Sequence, residues 1–160
     1  MYRLGLVSVS FRDKAPEEII SAVKSAGLTC IEWGSDVHAP RDSQGKLDEI
    51  AALQNKYGID CCSYGTYFKL GVTPVGELQG YINAAKILGT NILRLWCGNK
   101  NSTQYTETEK QELFEICRAA AGIAEKNGVT LCMECHGGTY TNKLASAIEL
   151  MQAVNSKSFR

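Results

Sequence analysis

The stretch KNGVTLCMECHGG, residues 126–138, decides how the chain is read. It starts as the end of a helix, turns at Gly128, and runs into a short apolar strand over 129–134. Glycine just past a helix end takes the left-handed conformation at little cost. The same junction occurs three more times, as SAGLTCIEW, KYGIDCCSY and ILGTNILRLW. The four glycines, Gly27, Gly58, Gly89 and Gly128, are spaced 31, 31 and 39 residues apart. One helix and one strand in about 30 residues is the size of a βα unit.

Working outward, each segment before a junction carries helical signals. Pro16 suits a first turn, and Ile19, Ala22, Val23 and Ala26 form an apolar stripe. Leu47, Ile50, Ala51 and Tyr57 mark a second helix. A third is expected from Thr73-Pro74, with Leu78, Tyr81, Ile82, Ala85 and Leu88 recurring at helical spacing. Thr106 and Glu109 make a capping box for a fourth, striped by Leu113, Ile116, Cys117, Ala120 and Ala124. A fifth is expected from about Thr141, through Leu144, Ile148, Met151 and Val154. Strands are expected over 3–8, 28–33, 59–64, 91–95 and 129–134. They are short and apolar, as when both sheet faces are covered. Strict alternation implies a parallel sheet with right-handed crossovers. The polar run GNKNSTQY, 98–105, reads as a surface loop over one end of that sheet.

Composition narrows the function classes. The chain has 160 residues, 44% of them hydrophobic, and a formal net charge of zero. One domain over 1–160 is the expectation. Balanced charge gives no reason to expect nucleic acid or an anionic membrane as partner. The start, MYRLGLVSVSFRDK, lacks the apolar core of a signal peptide, and no run approaches the ~20 apolar residues of a membrane span. A cytoplasmic protein is therefore expected. Its seven cysteines then read as reduced thiols, mostly small core hydrophobes.

Within CMECHGG three chemistries compete. Cys132-Met133-Glu134-Cys135-His136 has the C-x-x-C-H spacing of haem attachment, and its C-x-x-C core suggests a redox pair or half a zinc site. Side chains alternate along a strand, so Cys132, Glu134 and His136 share one face while Met133 and Cys135 take the other. Cysteines on opposite faces grip one metal or close one disulfide poorly, and no second ligand pair exists for zinc. What remains is a carboxylate and an imidazole at a strand's end. The plainer reading is that Glu134 pairs with a basic neighbour and His136 caps a loop. Spacing alone does not separate the two.

In parallel α/β folds, chemistry collects at the carboxyl ends of the strands. Here those ends carry Ser8 and Ser10, Glu32 and Trp33, Tyr64, Arg94 and Trp96, and Glu134 and His136, with His38 just past the second strand. Against this, Trp33 and Trp96 are equally well explained as core, and Arg94 as the partner of a nearby carboxylate.

The order of these segments resembles the sugar phosphate isomerase/epimerase family of xylose isomerase-like TIM barrels, related to endonuclease IV. RLGLVSVSF opens the barrel, followed by AGLTCIEWGSDVHAP, KYGIDCCSYGTYFKLG, AAKILGTNILRLWCG and AEKNGVTLCMECHGGTYTN. The resemblance implies a TIM-barrel type (β/α) repeat of which the chain holds about five of eight units. It implies a divalent metal, Mn, Mg, Co or Zn, with Glu134 as its ligand and with Glu134 and His136 as catalytic residues. It places Glu32, Trp33, His38, Tyr64, Arg94 and Trp96 against a small sugar or sugar phosphate. The implied reaction removes a proton next to a carbonyl while the metal stabilises the enediolate. An inosose-type dehydratase or hydroxypyruvate isomerase belongs to the same superfamily. An endonuclease IV-like activity would need more histidines than the two present, and a DNA-binding surface.

A full barrel of this type takes roughly 250 residues. Five units leave open sheet edges, so three arrangements are expected to compete: a piece of a longer barrel with little activity alone, a homo-oligomer joined through those edges, or an open flavodoxin-like sheet. The first is favoured, because 160 falls between a helix and an expected strand. A non-catalytic module that self-associates or binds a polyol is the alternative from another class.

Overall fold

The structure, a computed structural model, describes residues 2–160. Strands β1 (Gly5–Val7), β2 (Cys30–Gly34), β3 (Asp60–Leu70), β4 (Ile92–Cys97) and β5 (Thr130–Met133) alternate with helices α1 (Pro16–Ser25), α2 (Gln44–Tyr57), α3 (Leu78–Ile87), α4 (Glu107–Asn127) and α5 (Leu144–Val154). The five parallel strands form one sheet in the order β1-β2-β3-β4-β5. A doubly wound, flavodoxin-like sheet would reverse its order at a switch point, and this one does not. The succession continues past β5: Leu131 bridges Phe159 in parallel, with its N–H donating to the Ser158 carbonyl at 2.9 Å. No helix among the described residues is long and apolar enough to cross a membrane.

The expected glycine junctions all take the left-handed conformation, with φ of 71° at Gly27, 63° at Gly58, 79° at Gly89 and 68° at Gly128. Each turns the chain out of a helix and straight into the next strand. Apart from the end of β3, the strands start and end within one or two residues of the expected bounds, and three boundaries differ for a physical reason. Strand β3 runs to Leu70 instead of stopping near Tyr64, because Phe68 and Leu70 both bury while Lys69 between them does not. Helix α3 begins at Leu78, after a 3-10 turn over Val75–Glu77 that follows Pro74. Helix α5 begins at Leu144, because the Thr141 hydroxyl is spent on the Glu134 carbonyl, 2.7 Å away.

The chain packs as two compact units, one reaching to Thr66 and including Asn83–Leu93, the other comprising Tyr67–Ile82 and Arg94–Arg160. In the first, Ile20, Ile31, Trp33 and Ile50 are essentially inaccessible. Gln54 satisfies two buried groups there: its Oε1 accepts from the Trp33 indole and its Nε2 donates to the Leu88 carbonyl, both at 2.9 Å. In the second, Phe68, Leu95, Cys117, Leu131 and Leu150 form the interior. Helix α4 starts with the expected capping box: the Thr106 N–H donates to Glu109 Oε2 at 2.8 Å, and the Glu109 N–H donates back to Thr106 Oγ1 at 3.3 Å.

Two outcomes follow for stability. Gln54→Leu strands a buried donor and a buried acceptor, so urea denaturation should show a loss of about 2–4 kcal/mol. In a Trp33→Phe background the same change should cost less, because the indole N–H is already gone; an equal cost in both would contradict the pairing. The Glu109 carboxylate is held down to about 2, first by Lys100, then by the Thr106 N–H and hydroxyl. A depressed carboxyl stabilises the fold above its ordinary value of 4.5, and that contribution fades as pH falls toward about 2. Glu109→Gln should therefore make the acid loss of stability shallower in that window, and an unchanged slope would contradict it.

Candidate functional site

The residues past β5 gather around one side chain of β4. Glu134 follows the strand directly, and its main chain is fixed from two sides. Its N–H donates to the Leu95 carbonyl at 3.0 Å, and its carbonyl accepts from the Thr141 hydroxyl. Its carboxylate Oε2 accepts from the Trp96 indole N–H at 2.6 Å and from the Arg94 guanidinium. Arg94 and Trp96 lie two apart on β4 and so share a face, while Leu95 and Cys97 bury on the other. The pair is only partly exposed, at 20% for Arg94 and 35% for Glu134, so solvent screens it incompletely.

His136 joins this group through its ring, whose centroid lies 5.0 Å from that of Trp96 at an interplanar angle of 40°. Its Nδ1 is 2.6 Å from the Gly137 carbonyl. A carbonyl only accepts, so Nδ1 is the donor in this contact. The β4–α4 and β5–α5 loops are tied together beside it: the Gly138 N–H donates to Asn101 Oδ1 at 2.8 Å, and the Ser102 N–H to Asn142 Oδ1 at 3.0 Å.

Two residues not anticipated from the sequence complete the cluster. The Tyr67 and Trp96 rings meet in a T-shaped contact with centroids 5.1 Å apart, and the Arg94 guanidinium lies 5.8 Å from the Tyr67 ring centre. Lys69 Nζ sits 5.2 Å over the Trp96 ring. Both lie beyond the expected end of the third strand. The signal that could have found them is the alternation Tyr67, Phe68, Lys69, Leu70, two polar-tipped residues on one face and two apolar on the other. Tyr67 also has φ of 55°, which costs an ordinary L-residue about 1–2 kcal/mol. A left-handed tyrosine inside a strand marks a place where the surrounding structure holds the ring in position.

The other sequence candidates lie in the first unit. Glu32 is buried and accepts from the Ser63 hydroxyl. His38 is 4% exposed, its Nδ1 lies 3.1 Å from Ser8 Oγ, and Ser8 also accepts from the Gly34 N–H at 3.0 Å. Burial pushes the His38 imidazole below the usual histidine value, while the backbones of Lys14 and Phe11 pull the other way. Its Nε2 is buried without a partner at hydrogen-bond distance. Trp33 packs edge-on to His38 with centroids 6.0 Å apart, and Tyr64 donates to the Ala39 carbonyl at 2.6 Å. Neither Trp33 nor Tyr64 has accessible surface.

None of the seven cysteines is in a disulfide; Cys132 is half-buried and Cys135 exposed. Among the described residues no group of three or more His, Cys, Asp or Glu side chains could surround a cation. Glu134 offers one oxygen and His136 one nitrogen near Trp96. This donor set does not fit a closed metal shell, and the Glu134 carboxylate already has a guanidinium for its countercharge.

The chain matches the family model described as xylose isomerase-like TIM barrel over residues 20–160. Comparison with curated proteins finds no significant match. Similar solved structures include the probable 3-DHS dehydratase AsbF of Bacillus anthracis, involved in petrobactin synthesis, at 17% identity and a TM-score of 0.86, covering 99% of this chain and 61% of that one. A D-allulose 3-epimerase from Methylomonas sp. in complex with D-allulose has 14% identity and a TM-score of 0.76, with 99% and 62% covered. A xylose isomerase-like TIM barrel protein from Mycobacterium smegmatis in complex with magnesium has the same identity and score, 14% and 0.76, with 99% and 65% covered. The chain thus spans less than two thirds of each of these three. At such identities the likeness shows the fold, and the family match places the chain: it belongs to the xylose isomerase-like TIM barrel family.

Proposed function

We propose that the chain carries part of the active site of a sugar or sugar-phosphate isomerase or epimerase, with Glu134 as the residue that meets the reacting carbon or its metal. The observation that supports this is the placement of Glu134. It is an ionisable side chain just past the end of β5, pinned by main-chain bonds on both sides and oriented by Arg94 and Trp96. Abstraction of a proton next to a carbonyl needs a carboxylate held in one geometry. The Arg94 guanidinium and the Trp96 indole hold that carboxylate in one orientation. His136, packed on the same Trp96 ring, is proposed as the second group of the proton path.

A divalent metal would supply Lewis-acid stabilisation of an enediolate. Glu134 is the one residue here proposed to hold it, as a lone carboxylate ligand and not as part of a closed shell. Glu32 and His38 are proposed as further substrate-side residues, and Trp33 and Tyr64, which are fully buried, as residues that act on substrate binding only by positioning β2 and β3. A dehydratase reading shares the first step, since loss of water next to a carbonyl also begins with proton removal.

Manganese titration of the 160-residue chain tests this. With a single carboxylate ligand, saturable binding is expected only at concentrations on the order of millimolar. Glu134→Gln should weaken it at least tenfold and also lower stability by about 1–2 kcal/mol, because Arg94 loses its countercharge. Turnover of free or phosphorylated ketoses by the chain alone should be close to background. Unchanged manganese binding in Glu134→Gln would favour a non-catalytic module, and brisk metal-dependent epimerisation by these 160 residues would contradict the incomplete site.

A further inference from the structure

Around Trp96 the charges do not cancel. Arg94 and Glu134 neutralise one another. Lys69 does not take part: its ammonium lies over the Trp96 ring, and among the described residues no carboxylate is within ion-pair distance of it. The Trp96 face therefore carries a spare positive charge, and His136 brings no negative charge to it. Nothing about packing requires this. Lys69 is on the half-buried face of β3, between the buried Phe68 and Leu70, and could have been any polar residue. The strand also holds Tyr67 at φ of 55°, in a conformation glycine or asparagine would adopt at less cost, so that its ring closes the side of the same platform.

We propose that this platform is an anion subsite: Lys69, set over Trp96 and walled by Tyr67 and His136, receives a carboxylate or phosphate of the substrate, which makes the substrate an anionic rather than a neutral polyol. The proposal rests on the reading of the Glu134 side of Trp96 as the substrate site and names the substrate class for it. Its physical basis is that an ammonium already partly desolvated against a ring face has given up some of its water. It then binds an anion more strongly than a fully hydrated surface lysine does. Arg94 is unavailable for this role while it holds Glu134, which leaves Lys69 as the cation that discriminates. A neutral ketose would leave that charge uncompensated as water is excluded, which penalises it relative to an anion of the same size.

Tryptophan fluorescence reads the subsite directly, since the chain has two tryptophans and Trp33 has no accessible surface. The metal-free chain would be titrated with D-fructose, 2-keto-D-gluconate and D-fructose 6-phosphate, with chloride matching the ionic strength. At least one of the two anions should bind at least tenfold more tightly than fructose, and which one it is identifies the anion. Lys69→Gln should bring the anions down to the level of fructose, and Lys69→Arg should restore most of the difference. Equal binding of all three compounds, no saturable change with either anion, or an anion preference that survives Lys69→Gln would overturn the proposal. Circular dichroism of both variants separates loss of the charge from loss of the fold. Because no metal is present, these outcomes are independent of the manganese titration: loss of the Glu134 reading would leave an anion preference intact, and the reverse also holds.

Discussion

The indole N–H of Trp96 and the guanidinium of Arg94 meet on one oxygen of Glu134, and the candidate site depends on that convergence. It joins the end of β5 to the middle of β4 through side chains, where the Leu95 carbonyl already joins them through the main chain. Two such ties fix both the position and the direction of the carboxylate. The acceptor is charged, so each bond is stronger than its neutral counterpart, and the incomplete exposure of the pair keeps water from competing fully. Without this arrangement Trp96 has no reason to face His136, Tyr67 and Lys69 together.

The cluster also shows how a repetitive fold acquires a local identity. Four successive junctions have the same ingredients: a helix, a left-handed glycine and a strand that follows at once. What distinguishes one strand end from another is the choice of two or three side chains on a single face. On β4 that choice is an arginine and a tryptophan; beyond β5 it is a glutamate and a histidine. Away from those ends the strands are occupied by residues such as Leu131, Ile31 and Leu95, which bury and carry no chemistry.

Most of the architecture could be read from the sequence because its signals are local. A glycine at φ near 70° after a helical stripe, followed by an apolar run, needs no tertiary information to be recognised. Where boundaries moved, the cause was tertiary. Thr141 was diverted from starting α5 by the Glu134 carbonyl, and β3 continued past a Gly65-Thr66 pair that resembles a strand end. The site was only partly legible. Glu134, His136, Arg94 and Trp96 stood out as polar or aromatic residues at strand ends, and the structure brings these four together. Tyr67 and Lys69 did not stand out, since their relation to Trp96 crosses from one strand to another and Tyr67 depends on a backbone angle that its residue type disfavours. Conversely, Trp33 and Tyr64 had the same sequence credentials as Trp96 but became core, because Gln54 and the Ala39 carbonyl satisfied their polar tips inside the protein.

The most direct measurement is a pH titration of the two indole N–H resonances in a nitrogen-15 correlation spectrum. The Trp96 indole donates to the Glu134 carboxylate, so its resonance should move as that carboxylate takes up a proton and should shift in Glu134→Gln. The Trp33 indole, bonded to the neutral amide of Gln54, should stay in place in both experiments. A Trp96 resonance that is indifferent to acid and to Glu134→Gln would mean that the convergence on Glu134 does not exist in solution, and the account of the site would fail with it.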